Sequence, residues 1–132
     1  MENRKTKMVL VWRNDLKVRR GKYGAQVAHA SVAVLVNAMR TLDPCKFILH
    51  LKKGGAWDNW LNGRFTKIVV KCKDEAELLS IYAAAQSAKI PSILITDAGL
   101  TEFKGNPTNT CVGIGPFWAD EIDKITSHLE LD

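Results

Sequence analysis

The chain has 132 residues, of which 46% are hydrophobic, and a net charge of +5. That length accommodates one compact domain and hardly two, so residues 1–132 are read as a single unit. No apolar run approaches the roughly eighteen residues of a membrane span. The three cysteines, Cys45, Cys72 and Cys111, are widely spaced with no C-x-x-C pair, which suits a reducing cytoplasm.

The opening segment, Met1 to Lys7, is charged, but no long apolar stretch follows it, so it does not read as a secretory signal. Met8–Trp12 is a short apolar run between charges and predicts a central strand. A basic turn follows, from Arg13 to Gly21. The first 22 residues hold eight Lys or Arg against Glu2 and Asp15, so this segment carries +6 and the remainder is nearly neutral. A basic patch beside a strand end points to an anionic partner, although a solvated surface has the same composition. An alanine-rich helix is expected from Lys22 to about Met39, packed against the sheet through Tyr23, Val27, Ala30 and Val34. Lys22, Gln26 and His29 fall at helical steps of four and three and should share one face.

Leu42-Asp43-Pro44 ends that element, and Phe47–Leu51 reads either as a strand or as a short helix. Ala56–Leu61 reads as a helical turn. Its Trp57 and Trp60 are either cover for the sheet or a stacking surface for an aromatic ligand. Thr66–Cys72 is a strand. Asp74 and Glu77 have capping-box spacing and start a helix that runs to about Ala88. Ser92–Thr96 is another strand, and the strand–helix–strand order implies parallel pairing. Asp97–Glu102 is a second polar cluster at a strand end. The connection from Thr96 to Thr110 is too short for a crossover helix, so the last strand, Thr110–Ile114, should run antiparallel and stop at Gly115-Pro116. Trp118 to about Leu129 closes the chain as a helix. The expected fold is α/β, a single-domain three-layer α/β/α sandwich with a four-stranded mixed sheet.

Several familiar chemistries lack their signatures. No Gly-rich phosphate fingerprint fits Gly21 and Gly24. His29, His50 and His128 lack the close pairing of a zinc site, and no serine sits in a G-x-S-x-G elbow. The polar residues that remain are Lys22, Gln26 and His29 from one strand end, and Asp97, Thr101, Thr108 and Thr110 from another. Ligands of open α/β sheets bind at such strand ends. A lysine there stabilises an oxyanion or binds phosphate, and an aspartate orients a water or holds a lysine. The bland readings are a solvent-facing lysine, a turn aspartate and a packed histidine.

The ordered segments Lys7–Lys17, Arg20-Gly21-Lys22, Ala25–Ala30, Asp97–Glu102, Gly113–Pro116 and Ile122–Leu129 resemble the archaeal and eukaryotic (second-class) peptidyl-tRNA hydrolase family. The resemblance spans almost the whole chain, and the Cys45–Trp60 stretch matches poorly. It implies a compact α/β sandwich, often dimeric, that cleaves the ester joining a peptide to the 3′ ribose of its tRNA. It also implies catalytic roles for Lys22, Asp97, Thr101 and Thr110, with Gln26 and His29 lining the cleft. The Gly105-Asn106-Pro107 loop is one residue longer than the family pattern and leaves Thr108 and Thr110 as alternative matches for one threonine. No metal or other cofactor is implied. Lys17, Arg19 and Arg20 are expected to hold the tRNA backbone through phosphate contacts. Peptidyl-tRNA is the expected partner, alongside a second copy in a homodimer and no membrane. The alternative is a non-catalytic RNA-binding or protein-interaction module on the same fold.

Overall fold

The computed structural model describes residues 4–132; Glu2, counted above in the N-terminal charge, lies outside the described residues. In chain order the elements are β1 (Thr6–Arg13), α1 (Arg20–Ala38), β2 (Arg40–Asp43), β3 (Lys46–Ile48), α2 (Ala56–Leu61), β4 (Lys67–Cys72), α3 (Glu75–Ser87), β5 (Ser92–Asp97), β6 (Thr108–Trp118), α4 (Ala119–Thr126) and β7 (Glu130–Leu131). The main sheet has five strands in the order β5-β6-β1-β4-β7. β1 and β4 are parallel, whereas β6 runs antiparallel to both β1 and β5, and β7 antiparallel to β4.

β1 is central because successive residues bury on opposite faces of the sheet. Met8, Leu10 and Trp12 pack with Ala30 and Val34 of α1 and with Trp60 of α2. Val9 and Val11 pack with Leu78, Ile81 and Ala85 of α3 and with Ile122 of α4. Two helices therefore cover each face, as the three-layer reading requires. α3 starts where the capping spacing predicts. The Asp74 carboxylate accepts the Glu77 N–H at 2.9 Å, and the Glu77 side chain accepts the Lys73 N–H at 2.8 Å.

The sheet has five strands rather than the expected four, because Glu130-Leu131 adds a two-residue edge to β4. The closing helix accordingly ends at Thr126. So short a strand has no periodicity to reveal it, and only its pairing defines it. β6 also continues through Gly115-Pro116 to Trp118 instead of stopping there. Its register against β1 shifts between Lys7 and Val9, and that bulge takes up the proline, which has no N–H for the ladder. The segment after α1 forms a separate two-stranded ribbon, β2–β3, so the strand reading of Phe47-Ile48 holds. Trp60 is core: 2% exposed, with its indole N–H donating to the Thr66 carbonyl at 2.8 Å, and so unavailable for stacking on a ligand.

Candidate active site

β1 and β5 both end at the same edge of the sheet, since both run antiparallel to the β6 strand between them. The turn after β1 leads into α1 and places Lys22 in its first turn. Asp97 is the last residue of β5. Residues 75 positions apart thus meet: the Lys22 ammonium donates to Asp97 Oδ1 at 2.8 Å. Both side chains are largely screened from solvent, 13% and 14% exposed. Lys22 also donates to the Thr101 hydroxyl at 3.0 Å and lies over the Phe103 ring at 5.4 Å.

One helical turn further, Gln26 Nε2 donates to the same Asp97 Oδ1 at 3.2 Å, and its Oε1 accepts the Thr110 hydroxyl at 2.6 Å. Asp97 Oδ2 accepts the Gly99 N–H at 2.8 Å. Gly99 has φ +83°, and a Cβ there would lie 2.2 Å from the Asn106 carbonyl oxygen, so the loop closes over Asp97 only with glycine at this position. The hydrogen bond from Lys22 is the main cause that holds the Asp97 carboxyl below the usual carboxylate range. The Gly99 N–H and Gln26 add to it against the opposing effect of burial. Asp97 is therefore an anion at neutral pH, held from three directions.

Thr110 reaches Gln26 because of a register change. Ile95 pairs with Cys111 but Thr96 pairs with Asn109, so β6 carries one extra residue at Thr110. Thr110 and Cys111 consequently both face α1, and Asn109 faces α3. Thr110 is fully buried, whereas Thr108 is half-buried and directs its hydroxyl to the Asn106 carbonyl at 2.8 Å. This separates the two threonines that the loop length left ambiguous.

The remaining sequence-derived candidates lie around this cluster. His29 is exposed on α1 and takes no part in the cluster's hydrogen bonds. Lys17, Arg19 and Arg20 are exposed on the turn before α1. The Arg19 N–H donates to Glu102 at 3.0 Å and its Nε lies 3.6 Å from the same carboxylate. α1 has no acidic residue in its own first turn, and the Glu102 carboxylate on the N-cap Arg19 N–H supplies a negative charge at its positive end. Among the described residues no group of three His, Cys, Asp or Glu side chains is placed to hold a metal ion.

A second network, on the α3 side of the same edge, was not singled out from sequence. Arg13 forks onto Asp15 at 3.0 and 2.7 Å and donates to the Asn109 carbonyl at 3.0 Å. The Asn109 side chain accepts the Thr96 hydroxyl at 2.6 Å and donates to Glu75 at 3.1 Å. The Arg-x-Asp spacing at the end of β1 and the Thr96/Asp97 alternation at the end of β5 were the available signals.

The peptidyl-tRNA hydrolase PTH2 family model matches residues 6–131. A peptidyl-tRNA hydrolase of Methanopyrus kandleri is 42% identical over 125 residues, covering 95% of this chain and 97% of the relative. One from Methanocaldococcus jannaschii is also 42% identical, covering 95% and 98%. A probable peptidyl-tRNA hydrolase 2 of Drosophila melanogaster is 36% identical over 95% of this chain and 61% of the fly protein. A solved Agrobacterium protein of unknown function shares the fold at TM-score 0.54 and 15% identity, with 96% of this chain and 97% of that one covered. A family match over nearly the whole chain, together with relatives of this identity, makes the protein a member of the PTH2 peptidyl-tRNA hydrolase family.

Proposed function

We propose that this chain hydrolyses the ester between a peptide and the 3′ end of its tRNA, and that Lys22 and Asp97 form its catalytic pair. The observation that carries this is the 2.8 Å contact between them, built from two separate strand ends in a chain that matches the family from residue 6 to 131. Lys22 uses two of its ammonium donors on Asp97 and Thr101 and keeps one for the oxyanion of the tetrahedral intermediate. Thr101 is exposed; its hydroxyl accepts from Lys22 and also holds the attacking water. Asp97 is the orienting group, because an anion stabilised below the usual range is a weak base. Water adds to the carbonyl carbon, the bond to the 3′ oxygen breaks, and the water proton ends on that oxygen. Thr110 and Gln26 are positioning residues that fix Asp97 from behind. Buried thiols play no part: burial pushes Cys72 up to about 11 and Cys111 to about 12.

The exposed Lys17, Arg19 and Arg20, at the start of α1, are the groups that bind the tRNA backbone. In this reading His29, exposed on α1, and the half-buried Thr108 contact the substrate. The cytoplasm fits three unpaired cysteines, and among the described residues no helix is long and apolar enough to cross a membrane. A homodimer belongs to this reading, through the apolar cavity of about 430 Å³ between α1 and the β1–β4 face, bounded by Tyr23, Val27, Val32 and Val69. This apolar surface is the candidate interface, whereas Trp60 is buried in the core. A strictly monomeric sedimentation profile at micromolar concentration would rule the dimer out.

The activity is tested by comparing turnover of peptidyl-tRNA, aminoacyl-tRNA and a small ester. Selective turnover of peptidyl-tRNA is expected. Tight tRNA binding without turnover would leave a non-catalytic RNA-binding module instead.

A further inference from the structure

The β2–β3 ribbon takes no part in the site described above. β2 is exposed along its length and two of the three β3 residues are exposed, so the ribbon stands off the body of the protein. Residues 40–53 carry Arg40, Lys46, Lys52 and Lys53 against one acid, Asp43, whose carboxylate accepts the Cys45 N–H at 2.8 Å. Among the described residues, none of these four cations forms an ion pair, whereas Lys7, Arg13, Lys22 and Lys71 each do. Lys53 acts on Asp58 through its charge, as the smallest of the causes that shift that carboxyl, and not through an ion-pair contact. Phe47, 57% exposed, stands beside the unpaired charges. Unpaired cations next to an exposed aromatic form a surface suited to a nucleic-acid backbone and its bases.

α1 leads from the active-site edge to the ribbon. Residues 16–42 contain no Asp or Glu at all. Gly21, Ala25 and His29 are exposed at steps of four along α1, a slim line that starts beside Lys22. The 19 residues of α1 extend about 28 Å, which is on the order of eight phosphates along one strand of a duplex.

We propose that the β2–β3 ribbon is a second RNA-contact site, which grips the phosphate backbone of the tRNA duplex while the 3′ end lies at Lys22 and Asp97. The proposal rests on peptidyl-tRNA being the substrate. RNA, rather than an acidic protein surface, is the occupant because an exposed aromatic, Phe47, stands among the ribbon's cations and no Asp or Glu falls in the sequence between the loop that faces the substrate and the ribbon.

The test uses the full chain carrying Arg40→Ser, Lys46→Ser, Lys52→Ser and Lys53→Ser. Kinetics are measured between 50 and 200 mM salt on intact peptidyl-tRNA and on a peptidyl trinucleotide carrying only the 3′ terminus. On intact substrate KM should rise roughly 10-fold or more, kcat should hold, and the salt slope should fall by about 3. On the trinucleotide neither constant should change. A second variant, Arg40→Lys with the three lysines changed to Arg, keeps the charge and should retain the wild-type KM even if the serine variant folds poorly. An unchanged KM and slope on intact substrate, with wild-type turnover normal, would overturn the ribbon's role alone. So would an equal loss on the trinucleotide. Failure of the wild type to turn over either substrate would overturn the activity and the ribbon proposal together.

Discussion

The two faces of the sheet at its C-terminal edge carry similar chemistry to different ends. On the α1 face, Lys22 meets Asp97 with an ammonium donor still free, beside an exposed threonine. On the α3 face, each of the three Arg13 guanidinium nitrogens donates one hydrogen bond, two to Asp15 and one to the Asn109 carbonyl, while Asn109 ties Thr96 to Glu75. Neighbouring residues of the same strands feed opposite faces: Thr96 and Asn109 one, Asp97 and Thr110 the other. The extra residue at Thr110 makes this possible on β6. A charge pair beside an exposed hydroxyl suits catalysis, whereas a bidentate pair tied to the backbone carbonyl of a neighbouring strand suits fixing a strand register.

The sharpest way to break the comparison is to disarm the α1 face. Lys22→Ala or Asp97→Asn should lower kcat by roughly 10²-fold or more, on the scale of losing an oxyanion donor. KM should change far less, since phosphate contacts elsewhere supply most of the binding. The double variant should be little worse than the poorer single one, because the two act in one network. Steady-state kinetics on peptidyl-tRNA, with circular dichroism to confirm folding, reads this out. A folded Lys22→Ala protein with wild-type turnover would remove Lys22 from the mechanism.

Thr110→Val tests the link from behind. It keeps the shape but deprives buried Gln26 of its hydroxyl partner, which costs about 1–3 kcal/mol. Turnover should fall about 10-fold as Asp97 loosens. Asn109→Ala, on the other face, should instead act mainly on stability, by about 1–2 kcal/mol and several degrees in Tm, with kcat reduced only a few-fold. Thermal melts run beside kinetics distinguish them. Equal effects of the two substitutions on both readouts would erase the functional difference between the faces.

The smallest expected effect is on pH dependence. Asp97 is lowered chiefly by the Lys22 hydrogen bond, and Asp15 chiefly by that of Arg13. A depressed carboxylate contributes stability that is fully present above its unfolded pKa of about 4 and is lost as pH falls through the lower native value. Urea midpoints should therefore hold down to about pH 4 and decline below it, less steeply in Asp97→Asn and in Asp15→Asn. Of these two single variants, only Asp97→Asn should also lower turnover by roughly 10²-fold or more. A decline with the same slope in wild type and both variants would show that neither ion pair is linked to acid stability.

Much of this was legible in the chain itself. The apolar run Met8–Trp12, the helical spacing of Lys22 and Gln26, the Asp74/Glu77 cap and the polar residues after each strand are local patterns, and local patterns survive in one dimension. They sufficed for the α/β class, for the antiparallel last strand and for Lys22 and Asp97 as candidates at one edge. Tertiary structure decided the features that depend on pairing. The two-residue β7 exists only because β4 offers it an edge. β6 passes Gly115-Pro116 because a register shift against β1 absorbs the proline. Trp60 is core because its indole reaches the Thr66 carbonyl. Thr110 rather than Thr108 meets Gln26 because one extra residue in β6 turns it toward α1. Strand register is a relation between distant segments, and a one-residue shift reverses which face each side chain takes.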